Sequence, residues 1–391
     1  MAFACFFIFN RGAVDTWLHI CAFLVLLNMG LKQYSLKDLF TGRNVFIIPL
    51  FLGLMISSIF AYSDPKDFQY VIKTGEALII IISIHALYLK KDNYQIYYYT
   101  FLLLLALTVC WHAFSFYSAP TQYAAQVNKH VLSNFLIMVI PFLGFFLFTI
   151  KGKYKYFIIA PVALLTLVSL DILLKAHSRP AILGLLFACF ILILFFLQGV
   201  KRLYCLVGLL LIISLILTMN YADIFLEMKK LVTDISHEER VLIWRDSWHM
   251  ITKGSFFEIL FGHGIGSFRY AFPQFSTSVR FAHLVCPHNF FLQFLYETGV
   301  VGFSLLNSLL ILFVYDLIRV LRQSKSYFIS TFGKCLLVYF IAWGIHCGLT
   351  VPFFSIYSLY PLMLIFGIGN ILFLYKQKKI VLYMNSNRLM R

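Results

Sequence analysis

Charge is what this chain has least of. Only 12% of its 391 residues are charged, while 61% are hydrophobic and 18% aromatic. Soluble domains carry about 25% charged residues, so a water-exposed globular fold is excluded. Long hydrophilic stretches are scarce too, and the apolar residues come in runs of about twenty, the length of a membrane helix. Open sheet edges cannot stay unpaired in lipid, which leaves a helical bundle. Paired cysteines are lacking: there are eight cysteines but no Cys-x-x-Cys, so neither a zinc site nor a disulfide framework is supported. Seven of them sit in apolar runs, where cysteine behaves as a small hydrophobe; Cys286 alone falls in an aqueous segment. The hydrophilic loops also lack Asp-x-Asp, His-x-x-x-His and acidic clusters of the kind that hold a catalytic cation.

The formal charge of +16 raises nucleic-acid binding, but the basic residues lie in small groups at the ends of apolar runs. That pattern sets topology rather than tracking phosphates, and no nucleic-acid partner is expected. The runs are about 1–10, 14–31, 44–62, 69–89, 95–117, 131–150, 156–174, 180–199, 203–221, 289–318, 328–350 and 355–375. They predict about twelve spans. The first is short, and it lacks the basic start of a signal peptide. Placing alternate connections on opposite sides puts 19 of the 32 Lys and Arg on one side. Six lie on the other, apart from seven in one long loop. The positive-inside rule then makes both termini cytoplasmic. The organisation expected is N-terminal spans over 1–221, an outward loop over 222–288, C-terminal spans over 289–375 and a cytoplasmic tail over 376–391.

The outward loop is the one long hydrophilic stretch, and loops beyond about 12–15 residues are usually functional or disordered. HEERVLIWRDSWHMI within it reads as a helix, and LFGHGIGSF as a glycine-rich turn. A folded external lid is expected. The Gly262–Gly266 glycines lack the strand and the spacing of a nucleotide loop, so a tight turn bringing backbone against another segment is the expectation.

Several residues there suit chemistry. Arg179 stands at the outward start of a span, with Ser178 and Pro180 fitting a helix N-terminus. Lys175 and His177 add positive potential nearby. A snorkelling anchor is the plain alternative. On a helix, Arg240, Trp244 and Ser247 share a face, a cation beside an aromatic platform; the alternative is a loose surface pair with Asp234 or Glu238. Arg245, Arg269 and Arg280 are less specific cations. Asp171 is placed to pair with Lys175 at i+4, and Glu76 sits in the outer third of its span. Finally, Cys286–Phe303 holds His288 and Asn289, nine residues, Gly299, two residues and Gly302. On a continuous helix Gly299 would lie about 20° from His288 and Gly302 about 40° to the other side. An ordinary membrane helix with packing glycines is the alternative reading.

The pattern His288-Asn289-x9-Gly299-x2-Gly302 resembles the H[NSQ]-x9-G-x-x-G signature of the bacterial O-antigen ligase family, which includes O-antigen polymerases and protein-O-oligosaccharyltransferases. The order of parts is similar as well: Ser178-Arg179 at the outer start of a span, a long loop with Arg240-x-x-x-Trp244 and the glycine segment, then the His-Asn motif. The likeness in motif covers roughly 170–305.

The resemblance implies an all-α, polytopic inner-membrane glycosyltransferase of the C type. It would work at the periplasmic face without a cofactor or an obligatory metal. The donor would be a glycan on undecaprenyl pyrophosphate, and the acceptor a sugar of lipid A–core. The polymerase alternative joins undecaprenyl-linked units instead. A transporter would predict two-fold internal symmetry with broken helices, which the sequence lacks. By position, Arg179 and Arg240 match the family's pyrophosphate-binding arginines, and His288 its essential histidine, either as general base or as a pyrophosphate ligand. Asn289, Trp244, Lys175, His177 and Arg269 are supporting candidates. Gly299 and Gly302 are expected to let another helix approach, so that Arg179 and His288 face one cleft.

Overall fold

The computed structural model describes residues 44–60, 68–90, 129–149, 155–176, 178–219, 239–278, 284, 286–350 and isolated positions within 106–118 and 359–371. Among the described residues there are eleven helices and no strand. They are α1 Asn44–Phe60, α2 Phe68–Lys90, α3 Lys129–Thr149, α4 Lys155–Lys175, α5 Arg179–Phe196, α6 Gly199–Met219, α7 Glu239–Thr252, α8 Phe256–Phe261, α9 Phe268–Phe275, α10 Phe290–Gln323 and α11 Tyr327–Thr350. The apolar runs foretold eight of these, each to within a few residues. The runs 1–10 and 14–31 lie outside the described residues, as do most of 95–117 and 355–375.

Three described helices are long and apolar enough to cross a membrane: Arg179–Phe196, Phe290–Gln323 and Ile329–Thr350. The chain is thus a helical membrane protein.

It divides into two compact units. The first comprises Met1–Ser178, Ser304–Phe340 and Phe354–Arg391. In it α1 packs on α2 and α3 on α4, and Phe142 of α3 meets Phe332 of α11 with ring centroids 5.5 Å apart. Asp171 and Lys175 form the expected i+4 ion pair at 2.8 Å, and the Tyr117 hydroxyl donates to the same carboxylate.

The second unit, Arg179–Phe303 with Ile341–Phe353, holds α5, α6, the loop helices and the start of α10. A Cβ on Gly184 of α5 would stand 2.7 Å from the Ala342 carbonyl oxygen of α11, so these helices touch backbone to backbone. Gly184→Ala should therefore weaken the pair by about 1–3 kcal/mol. Thermal unfolding in detergent checks this against Gly53→Ala, whose added methyl meets nothing within 4 Å and should leave the melting temperature unchanged or slightly raised.

The long hydrophilic loop is folded where it is described. Ile243, Met250 and Ile251 of α7, Phe268 and Phe272 of α9, and Tyr296 of α10 form one buried cluster. Its apolar members are drawn from one face of α7 at helical spacing, so their burial explains why HEERVLIWRDSWHMI is helical.

Tyr296 belongs to that cluster because α10 is not one continuous helix. Gly299 has φ 65° and ψ −175°, and the chain breaks there. The first nine residues, 290–298, pack into the loop's core, and the 24 that follow rise about 36 Å, enough to cross a bilayer core of about 30 Å. The uninterrupted helix used to align His288 with Gly299 and Gly302 is therefore corrected.

Candidate active site

Two glycine-bearing segments meet at the break. A Cβ on Gly262 would lie 2.4 Å from the Glu297 carbonyl oxygen, and one on Gly299 would lie 2.3 Å from that of Leu260. The His263 amide donates to the Tyr296 carbonyl at 3.2 Å and the Gly264 amide to that of Glu297 at 3.0 Å. These bonds satisfy carbonyls that the interrupted helix leaves orphaned. The expected tight turn against another segment is what the glycine segment makes.

The expectation for Gly299 and Gly302 is corrected in kind. Gly299 admits this loop rather than a helix. A methyl at Gly302 would meet Thr298, four residues earlier in its own helix, at 2.5 Å. The helix–helix approach foreseen for this motif is made instead by Gly184.

His288 sits just before the break-bearing helix. Asn289 is the N-cap: its Oδ1 accepts from the amides of Phe291 at 2.9 Å and Leu292 at 3.0 Å. Asparagine is among the best residues for this position. His288 itself has φ 51°, the left-handed region, and is the one non-glycine residue there among those described. Such strain, typically about 1–3 kcal/mol, persists where the surroundings over-determine it.

Those surroundings can be named. The Trp244 indole nitrogen donates to the Pro287 carbonyl at 3.0 Å, pinning the preceding residue to α7. The imidazole hydrogen-bonds the main chain of Thr350, at the end of α11. Arg240, half-buried one turn before Trp244, places its charge within reach of the ring.

These contacts set the protonation state. Burial of the ring and the nearby Arg240 guanidinium hold the His288 pKa below its ordinary value, with the Thr350 bond opposing them in part. On balance these contacts favour the neutral imidazole. A neutral imidazole keeps a lone pair on one of its two nitrogens.

Asn289→Ala should cost about 1 kcal/mol of stability, and Asn289→Ser much less. Since the cap fixes the residue beside His288, the alanine variant should also lose part of its turnover. Activity and melting temperature of both variants check this.

The remaining candidates make contacts of their own. Arg179 opens α5 and is exposed. Lys175 is engaged with Asp171 in the other unit. Arg269 stacks on Tyr270 at 4.6 Å, and Arg245 reaches Asp246 and Thr277. The Ser247 hydroxyl is buried against the Ile243 carbonyl at 2.7 Å. Cys286 is buried, which pushes its thiol up and leaves it unreactive. His177, Asp234, Glu238 and Arg280 lie outside the described residues. Thr350 and Pro287 were missed, because backbone carbonyls leave no mark in a sequence.

A helical membrane protein with a half-buried histidine and an arginine on a folded loop is the class these features define. Residues 162–306 match the family model described as O-antigen ligase. The match agrees with the span over which the motifs are similar, roughly 170–305. A comparison with curated proteins gave no match. The family is one of glycosyltransferase-like enzymes of the O-antigen ligase and polymerase type, acting on lipid-linked glycans in a membrane.

Proposed function

We propose that this chain is an O-antigen ligase of the bacterial inner membrane, a multi-pass protein of about twelve spans with both termini cytoplasmic and its active site periplasmic. It transfers a glycan from undecaprenyl pyrophosphate to a sugar of lipid A–core. The observation that carries the reading is the placement of His288, fixed by the Trp244 bond to Pro287 and within reach of the Arg240 charge, inside the family-matched segment.

The acceptor hydroxyl oxygen attacks the anomeric carbon and gives its proton to the free nitrogen of His288. The anomeric carbon–oxygen bond breaks with inversion, and the electron pair leaves on undecaprenyl pyrophosphate. A sugar hydroxyl is a weak nucleophile, and general-base help is typically worth about 10²–10⁴-fold. Negative charge gathers on the leaving pyrophosphate, where preorganised arginines act strongly in a low-dielectric site. Arg240 meets that charge, and arginine's planar fork suits phosphate oxygens. No metal is required in this scheme.

Arg179 is the second pyrophosphate ligand. In the alternating topology α5 and α11 run in opposite directions, and they touch at Gly184 and Ala342. Arg179 is five residues from that contact, about 7.5 Å, and Thr350 eight residues, about 12 Å. Both then lie toward the outward end, where Thr350 holds the His288 ring.

The lipopolysaccharide of a strain lacking this chain tests the function. Core devoid of O-antigen, with long undecaprenyl-linked chains accumulating, is the expected result. Core carrying a single repeat would assign the polymerase reaction instead, and unchanged lipopolysaccharide would refute both.

A further inference from the structure

The short helix α8 is the part of the loop that the catalytic reading leaves unused. Its six residues, FFEILF, include no buried one. Phe256 is 69% exposed, Phe257 71% and Phe261 61%. The helix is nonetheless firmly built. Ser255 and Glu258 form a reciprocal capping box, with the Ser255 amide donating to the Glu258 carboxylate at 2.6 Å. Three phenylalanines on a well-capped turn, all facing outward, are not explained by water.

The position of α8 says what they face. Gly262 follows Phe261 directly, and its backbone is in contact with Glu297 and Gly299. Gly299 is where the membrane-crossing part of α10 begins, and the next two residues, Val300 and Val301, are themselves 42% and 40% exposed. Phe261 and Val300 therefore project from backbones that touch. An exposed aromatic helix is stitched to the point at which an apolar helix enters lipid. Lys253 lies just before α8 and is exposed, so a cation accompanies the aromatic residues. Aromatic side chains with a flanking cation fit the boundary of an anionic phospholipid leaflet.

We infer that α8 is an interfacial foot: Phe256, Phe257 and Phe261 dip into the outer leaflet beside α10, with Lys253 at the headgroups, and hold the folded loop down on the membrane. This rests on α10 being a membrane span, not on the ligase reading.

Site-directed spin labelling tests it without donor or acceptor. The 391-residue chain, with its eight native cysteines replaced by alanine or serine, is labelled at Phe256→Cys, Phe257→Cys or Phe261→Cys. Gln274→Cys on α9, an exposed polar position, is the control. The samples are reconstituted into vesicles of phosphatidylethanolamine with phosphatidylglycerol. At 257 and 261, oxygen should reach the label better than a water-soluble nickel complex, and at 274 the order should reverse.

Nickel access at 257 and 261 equal to that at 274 overturns the proposal. So do labels that neither reagent reaches, which would mean cover by another segment of this chain. Dipolar broadening between labels would mean a second copy, and also overturns it. Retained elution volume and helical circular dichroism certify each labelled sample. Substituting all three phenylalanines by serine should abolish the oxygen preference of a label at Leu260→Cys; its persistence would also count against the foot.

Discussion

His288→Asn should reduce transfer by about 10²–10⁴-fold while leaving the protein folded in the membrane. Asparagine is the informative replacement, because it tolerates the left-handed backbone that His288 adopts. A loss in this variant is then a loss of chemistry, whereas His288→Ala adds backbone strain to it. In vitro transfer from a lipid-linked donor to lipid A–core, monitored by gel mobility, is the measurement. Near-wild-type transfer by His288→Asn would remove the histidine from the reaction.

The same residue predicts a pH profile that separates base from pyrophosphate ligand. Burial and Arg240 hold its pKa below the usual imidazole value, about 6.5. A base must be neutral to work, so activity should persist through neutrality and fall only below that value. A histidine that grips pyrophosphate must be protonated, and activity would then rise as pH drops below about 6. Arg240→Gln removes one of the two causes of the depression. Its residual activity should therefore fall at a higher pH than that of the wild type, in addition to a loss of about 10²–10³-fold from the missing charge. An acid limb that does not move would mean that Arg240 acts on substrate alone.

The sequence conveys the local parts of this arrangement and loses the non-local ones. Runs of apolar residues locate α1 to α6 to within a few residues, because a long apolar run can bury itself as a helix without leaving backbone groups unpaired. HEERVLIWRDSW is legible as α7 because its apolar residues recur at helical spacing. The partners of His288 are another matter. The Thr350 carbonyl comes from a helix 62 residues onward, and any residue type could supply it. Gly262 and Gly299 each stand out in the sequence, yet nothing local says that they touch. The motif's regular look also misleads: a step of eleven from His288 to Gly299 suggests a shared helix face, but the chain turns before Asn289 and breaks at Gly299. Two interruptions separated by nearly whole turns mimic a continuous helix.

That break carries the other large effect. Gly299→Ala should disrupt docking of the loop onto α10 and abolish transfer, although residue 299 makes no contact with the imidazole by any bond described. Two costs add at one position. Alanine at φ 65° is strained, and its methyl would sit 2.3 Å from the Leu260 carbonyl oxygen and 2.5 Å from the Gly262 amide nitrogen. Both obstacles are backbone, so no rotamer change relieves them. The docked state should lose about 3 kcal/mol or more, a large part of the stability of an ordinary domain. Tyr296, one side of the loop's buried cluster, sits in the stub that Gly299 orients; loosening it frees α7, and with α7 go Arg240 and the Trp244 bond to Pro287. The variant should therefore show protease cleavage within 239–278 under conditions that spare the wild type, together with lost transfer and an unchanged amount of protein in the membrane. Gly262→Ala, facing the same contact from the other side at φ 79°, should reproduce both effects, and the two together should cost less than their sum, since either one alone already breaks the contact. Full protection of the loop in Gly299→Ala would mean that the glycine crossing does not hold His288 and Arg240 together.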